Sequence, residues 1–510
     1  MRTYQHTLKQ FLVLGTVLVT AFAFTACETF VEDVDQPVDE AGADQFSDPA
    51  EAEFLITGIE AQWASTHTTV TGPADFLSDE FRFGLNGDAT FPTFRELDSG
   101  DIEADNNSIQ GALNALGEYR FLADDLLRRV EEDDQFDLDD PSATASEEEA
   151  RFAANLHGAN ARYYYATFFG DPDNPRRGGA PIDTSEFIPS PELYQEADDK
   201  YGEALEEAIA MGDEELQRQV QSARARAALY AGTHDFEDTG GLQGDEALEA
   251  AAEYAQEGLE AEESWDVLHD LSIGNDYHFD AGAGRIQMAV QDGNLAQLRD
   301  GPNAAYRVAD EETGELVARS HIETIAENPD ELNRIPLTIV DGVGTTLGGF
   351  GALAPGLAGL DLGPEAFAAI FDEWQPDGEE NEIAALDGAE MIEWGQGRWA
   401  EETDTPFISW QEVYLIRAEL ELRGYDAGDE EPLELVNEVR ASFDLEDLED
   451  IDMERLAIER DRTLFATGNR LPDQRRLADV EWHLQDEIGG EPTWQWLRLE
   501  QSETTANPNF

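Results

Sequence analysis

A chain of 510 residues can bury a large core, either as one big domain or as two to three smaller ones. Its 31 Lys and Arg residues face 113 Asp and Glu, a formal net charge of −82, which repels nucleic-acid backbones and anionic lipid surfaces and excludes DNA or RNA as a partner. Hydrophobic residues at 41 % with sustained helical periodicity argue against disorder except at the ends. The carboxylates are spread along the whole chain and the only lysines are Lys9 and Lys200. Such a coat suits high salt, where counterions screen the self-repulsion, so an extreme halophile is expected.

At the N-terminus Arg2 and Lys9 precede an apolar run over residues 11–24, followed by Phe24, Thr25, Ala26 and Cys27. A charged start, an apolar stretch too short for a comfortable membrane span and small residues before a cysteine read as a signal peptide over 1–26. The pattern resembles the lipobox of bacterial lipoproteins, which implies that Cys27 is lipidated and becomes the first mature residue. Residues 27–47 are acidic and lack periodicity, and read as a flexible tether. Glu28 is not the aspartate that retains some lipoproteins in the inner membrane, so outer-membrane sorting is permitted.

The first helix is expected over 49–65, with Ile56, Ile59 and Trp63 on one face, and the second over 109–130, with Leu113, Leu116, Ala123 and Leu127 as its buried line. Between them lies a loop-rich stretch carrying Phe91, Pro92 and Phe94. The acidic run 131–149 reads as a solvated loop. A helix over 151–169 then leads into Gly170-Asp171-Pro172 and Gly178-Gly179-Ala180-Pro181-Ile182. Three further helices follow, marked by Tyr194, Ala197, Tyr201 and Ala204, by Val220, Ala223, Ala227 and Tyr230, and by Leu248, Ala251, Ala252 and Ala255. Large residues alternating with alanine let antiparallel helices approach closely, as in degenerate tetratricopeptide-type hairpins.

From 264 to 406 the helical period breaks up, glycine and proline become frequent, and aromatics appear singly. A region of this length between helical blocks reads as a loop-rich subdomain built onto the scaffold. The last block opens with a helix over 409–423. One apolar stripe is Val413, Ile416 and Leu420, and another is Tyr414, Leu415, Ala418 and Leu422, so the helix is expected between layers. Glu412, Glu419 and Arg423 form one polar line, and Arg417 with Glu421 forms an i,i+4 pair on the other. Six arginines then cluster, Arg455, Arg460, Arg462, Arg470, Arg475 and Arg476, and are expected to act as internal staples, because guanidinium suits buried bidentate pairing. The tail beyond 482, with Trp494 and Trp496, is expected to pack partly on the scaffold.

Glu412, Leu415, Ile416, Arg417, Ala418 and Glu419, followed by Glu459, Arg460, Leu464, Gly468, Arg470, Asp473, Arg475 and Arg476, make a pattern that resembles the SusD/RagB family of nutrient-binding lipoproteins. The helix ending in Phe168-Phe169-Gly170-Asp171-Pro172 and the later Gly-Gly-Ala-Pro-Ile stretch resemble the same family independently. The resemblance implies a mainly α, SusD-like fold over 48–510, with a helical scaffold at 48–263 and 407–482 and the ligand-binding subdomain at 264–406. It also implies that Glu412, Arg417, Glu419, Glu459, Arg460, Arg470, Asp473, Arg475 and Arg476 are structural. A SusC-like TonB-dependent transporter would be the partner, with the protein held on the outer membrane by its lipid and exposed at the cell surface.

No nucleophile elbow, phosphate-binding loop or zinc-protease motif occurs. The single cysteine and eight isolated histidines offer no metal-ligand spacing, so neither enzyme activity, cofactor nor metal is expected. Capture of an oligosaccharide needs flat aromatic platforms with a few polar partners. The candidates are Tyr277, Phe279, Trp374, Trp394 and Trp399, with Phe91 from the earlier loop. A peptide ligand, or a scaffold that binds only other proteins, are the alternative readings.

Overall fold

The computed structural model describes residues 48–78, 80–83, 92–100, 102–183, 185–234, 236, 240–270, 272–277, 288–290, 306–309, 316–319, 328–334, 337–340, 343–346, 403–477, 487–488, 491–492, 494–499 and 507. Among these residues, seven helices form the first block: α1 (Ala52–Leu77), α2 (Pro92–Ser99), α3 (Asn107–Glu132), α4 (Glu147–Phe168), α5 (Ser190–Met211), α6 (Glu214–Thr233) and α7 (Gly244–Gln256). Four more form the second: α8 (Trp410–Arg423), α9 (Pro432–Ala441), α10 (Met453–Thr463) and α11 (Arg470–Arg476).

Local sequence sets where these helices begin. Asn106 accepts from the N–H groups of Ser108 and Ile109 at the start of α3, and Asp213 does the same for α6 with Glu215 and Leu216. Ser146 and Glu149 form a reciprocal capping box that opens α4 at the end of the acidic loop. Gly212 ends α5 in the left-handed region at φ 71, so α5 and α6 double back on each other across two residues.

The first helix runs well past its expected end at residue 65, to Leu77. The run Thr66 to Pro73 looks like a helix stop in sequence, yet the hydroxyls of Thr66, Thr69 and Thr71 turn back onto the carbonyls of Gln62, Ser65 and His67. With their polar groups satisfied inside the helix, these residues can be buried.

Consecutive helices α3 to α7 pack on one another, α1 lies against α3 and α4, and α8 packs on α6, α7, α9 and α10. The shared core is rich in alanine and tyrosine: Ala154, Ala159, Ala204, Ala225 and Ala228 let backbones approach, while Tyr163, Tyr164, Tyr194, Tyr201 and Tyr230 fill between them. The buried hydroxyls are paired. Tyr164 receives the Trp63 indole N–H at 3.1 Å and meets His67 Nδ1 at 2.7 Å, Tyr201 donates to Asn160 at 2.7 Å, and Tyr230 donates to Asn469 of the second block at 2.7 Å. Burial lowers His67 to about 3, so it is neutral.

The strands are short: β1 (Phe81–Phe83), β2 (Phe169–Gly170), β3 (Gly179–Ala180), β4 (Ile188–Pro189), β5 (Ser264–Val267), β6 (Met288–Val290), β7 (Tyr306–Ala309), β8 (Leu316–Arg319), β9 (Leu337–Val340), β10 (Val343–Thr346), β11 (Thr405–Ser409), β12 (Glu487–Ile488), β13 (Glu491–Pro492) and β14 (Leu497–Arg498). Among the described residues they form two-stranded pairs, with one further bridge between Gly170 and Gly178. The parallel β14–β2 pair returns the tail to the end of α4, where Trp496 is buried beside Gly170 and Gly178. A side chain at Gly178 would collide with the Trp496 indole at 2.5 Å, which explains the glycine there.

Candidate functional site

The midsection, residues 264–406, leaves the first block through β5 and rejoins the second through β11, and these two strands pair antiparallel, Thr405 opposite Val267 and Ser409 opposite Ser264. Trp265 turns inward against Trp63 and Phe407, with ring centroids 5.3 and 4.7 Å away. Above the pair, the His269 N–H donates to Asp404 at 2.8 Å, His269 Nε2 meets Thr405 Oγ1 at 3.1 Å, and Asn275 Nδ2 donates to the Thr403 carbonyl at 3.1 Å. The two ends of the midsection are thus stitched together.

Three further attachments tie it to the helices. Asp276 accepts from Thr69 at 2.8 Å and from Thr68 at 3.3 Å on α1, and the neighbouring Tyr277 donates to Asp75. Strand β1, just past α1, pairs with β6, Phe81 opposite Val290. The third attachment is the turn Pro329–Asn333 with Arg334, capped by Asn328 and sealed against α10.

That turn carries a fully buried ion network. Arg334 donates to both oxygens of Glu331, at 2.7 and 3.0 Å, and on its other side to Glu459 at 2.6 Å. Arg440 of α9 takes the remaining Glu459 oxygen at 2.7 Å, and Arg462 reaches Glu331 at 3.0 Å. Burial alone would push the Glu459 carboxyl up. Arg334, Arg440 and Arg462 outweigh it and hold the group at about 2, so it is ionised at any ordinary pH.

A second network ties α8, α10 and α11 of the second block together. Arg460 clasps Asp473, Arg476 bridges Asp473 and Glu419, and Arg423 adds a bond to Glu419 at 2.9 Å. Burial opposes ionisation of Glu419, but Arg476, Arg460 and Arg423 prevail and hold it at about 2. Across the seam, Arg470 donates to the Ser78 carbonyl at 2.9 Å, Gln474 donates to the same oxygen at 2.8 Å, and the Gly468 N–H donates to Asp75 at 3.0 Å. Arg226 of α6 lies over the rings of Phe407 and Tyr163, at 4.3 and 4.6 Å, and reaches Glu412 at 3.4 Å. Burial raises the Glu412 carboxyl more than Arg226 and Arg460 lower it.

Glu412, Glu419, Glu459, Arg460, Arg470, Asp473 and Arg476 are thus buried among these contacts, while three arginines are placed otherwise than expected. Arg455 is half-exposed and pairs with Asp450 at the surface, because α10 turns it away from the core. Arg417 does not hold Glu421: it pairs with Glu430 and donates to the Ala427 carbonyl at 2.9 Å, while Glu421 takes the Ala427 N–H. Arg475 pairs with no carboxylate among the described residues. It donates to the carbonyls of Thr167 and Gln495 at 2.6 Å each and lies 4.4 Å over the Trp496 ring. Burial lowers it to about 10.

Of the expected platforms, Tyr277 is corrected. It is 2 % exposed and its hydroxyl is engaged by Asp75, so it anchors the midsection and offers no open ring face. Phe91, Phe279, Trp374, Trp394 and Trp399 lie outside the described residues, as does Cys27. Sequence reasoning missed Asp276, Glu331 and Arg334 as anchors. A signal was present for the last two, an i,i+3 Glu–Arg pair opened by Asn-Pro in a chain poor in cations. Among the described residues no three His, Cys, Asp or Glu side chains converge as a metal site.

No protein-family model matches the chain, and no curated protein matches it. Solved structures do. B. fragilis NanU superposes with a TM-score of 0.53 at 13 % identity, covering 94 % of this chain and 98 % of that one. A SusD-like carbohydrate-binding protein from Bacteroides vulgatus gives 0.52 at 12 %, covering 91 % and 97 %. The surface glycan-binding protein A from Bacteroides thetaiotaomicron gives 0.52 at 13 %, covering 90 % and 97 %. Across nearly its whole length, this chain has the mainly helical, tetratricopeptide-like fold of SusD-like proteins.

Proposed function

We propose that this chain is a lipid-anchored protein of the outer-membrane surface that captures an oligosaccharide, without catalysis, and passes it to a SusC-like TonB-dependent transporter. The observation that carries the reading is the whole-chain similarity of fold to proteins described as carbohydrate- and glycan-binding. The motif at Glu412–Glu419 and Glu459–Arg476 and the sequence around Cys27 support it independently. The described parts of the midsection are fixed to the helices by β5–β11, by Asp276 and Tyr277, by β1–β6 and by Arg334, and a binding region anchored at such points has less freedom to lose when ligand arrives.

Sugar rings stack their C–H faces on aromatic rings while hydroxyls meet amide, carboxylate or arginine partners, and Trp374, Trp394, Trp399, Phe279 and Phe91 remain the proposed platforms. The acidic coat keeps the protein soluble in concentrated salt. Affinity electrophoresis against a glycan panel at molar salt tests the reading. Retardation by at least one glycan is expected, and its loss in Trp374→Ala or Trp394→Ala. Retardation of both variants like the parent would move the site elsewhere, and no retardation by any glycan would favour a peptide ligand. Mass spectrometry of the mature N-terminus checks lipidation at Cys27.

A further inference from the structure

Among the described residues, the seam between α1 and the second block holds more carboxylates than cations. Asp75, Glu80 and Asp461 are all buried there, and Arg470 is the guanidinium that faces them. Its bonds go elsewhere than Glu80: Nη1 donates to Asp461 and Nε to the Ser78 carbonyl. Asp75 is supplied by the Gly468 N–H and the Tyr277 hydroxyl. Among the described residues no donor reaches either oxygen of Glu80, which is 1 % exposed. The backbone N–H of Ala466 faces it without meeting hydrogen-bond geometry.

The groups around Glu80 are thus Asp75 from α1, Asp461 from α10, Arg470 from α11 and Tyr277 from the midsection, with Arg462 and Asp473 beyond Asp461. An ionised carboxylate enclosed among two others, with no donor of its own, is among the least tolerable arrangements in a protein interior. A neutral carboxylic acid is not, and its O–H is a donor in a place that has an acceptor to spare, since Asp461 Oδ2 has no partner among the described residues.

We propose that Glu80 is un-ionised in the folded protein at neutral pH, and that its proton serves as the missing cation of the seam. Burial pushes the Glu80 carboxyl well above the usual range, Asp75 and Asp461 add to this, and Arg470 opposes it. Burial also raises Asp461, to about 6, against the pull of Arg470.

The folded chain therefore holds this proton more tightly than the unfolded chain does. Its contribution to stability is complete below the ordinary carboxyl range and is lost as pH rises through the folded value. Because Asp75 also receives Tyr277, loosening of the seam in mild alkali reaches one attachment of the midsection.

The test is urea unfolding of the full chain from mildly acid to mildly alkaline pH, comparing the parent with Glu80→Gln, a neutral isostere. The parent's unfolding constant relative to Glu80→Gln should climb with pH by up to about tenfold per unit across the titration. Parallel profiles would overturn the proposal. Infrared spectroscopy in deuterated buffer gives a second readout. The carbonyl stretch of an un-ionised carboxylic acid should be present in the parent at neutral pH and lost in Glu80→Gln, with Glu80→Met as the substitute if the first variant fails to fold. Absence of that band in the parent would also overturn it. So would strong stabilisation of the parent, and not of the variant, by sodium or calcium, since the seam would then hold a metal cation in place of the proton.

Discussion

Arg460 and Asp473 face each other as a bidentate pair, Nε 3.0 Å from Oδ2 and Nη2 3.2 Å from Oδ1, with both side chains sealed from solvent. The same carboxylate holds Arg476, which continues to Glu419 on α8. Asp473 thus sits at the branch of a chain of charges that joins α11 to α10 and α8. Replacing it by asparagine keeps the shape and removes the charge that two buried guanidinium groups share. Asp473→Asn should lose about 3–5 kcal/mol of stability in urea unfolding. A loss below about 1 kcal/mol, the range of an exposed pair, would show that the branch does not bear on the fold.

Acid should unfold the protein through this network and the one at Arg334. Glu419 and Glu459 are both held at about 2 by surrounding arginines that outweigh burial, below the ordinary glutamate value. A depressed folded pKa means stability that is fully present above the unfolded value and is lost as pH falls from about 4.5 toward 2. Each group should contribute on the order of 3 kcal/mol across that window. In Glu419→Gln the acid limb of the stability profile should be shallower than in the parent. An unchanged slope would mean that Glu419 is not ionised in the folded state.

Gly468 adopts φ 77, and a Cβ there would stand 2.8 Å from Thr71 Cγ2 and 3.0 Å from Thr71 Cβ. Thr71 lies in the buried half of α1, so it has little room to yield. Gly468→Ala should cost about 1–3 kcal/mol, combining left-handed backbone strain with overpacking at the seam. Equal thermal midpoints for parent and variant would refute the close approach of the two blocks at this point.

Arg334→Met should act on the attachment of the midsection. The variant leaves Glu331 with Arg462 and Glu459 with Arg440, each short of its shared partner inside the protein. A local penalty of about 3–5 kcal/mol is expected. Hydrogen exchange should accelerate in residues 329–334 and in α10 while α4 to α6 keep their protection. Uniform acceleration across all helices would show that the turn is part of the global core and not a separable attachment.

The helices were readable because their buried lines repeat at helical spacing: Val413, Ile416 and Leu420 are all fully buried on α8, as are Tyr194, Ala197, Tyr201 and Ala204 on α5. The end of α1 was not readable, because threonine, glycine and proline stop a helix unless tertiary packing buries them and their hydroxyls find the preceding turn. The arginine cluster announced itself by its rarity in so acidic a chain, but spacing could not assign partners. Arg417 passes over its i,i+4 neighbour for Glu430, and Arg475 binds carbonyls. Tyr277 had the composition of a ligand platform and the environment of an anchor. Only the position of Asp75, distant in sequence, distinguishes the two.

Val267 and Thr405 sit opposite each other in one short ladder, so everything threaded between them departs from and returns to a single doorway. What leaves through it still reaches back to the frame at Asp276, Tyr277, β6 and the Glu331–Arg334 turn, so an exchange of the intervening chain that keeps α7 and α8 in register would have to carry those four footholds with it.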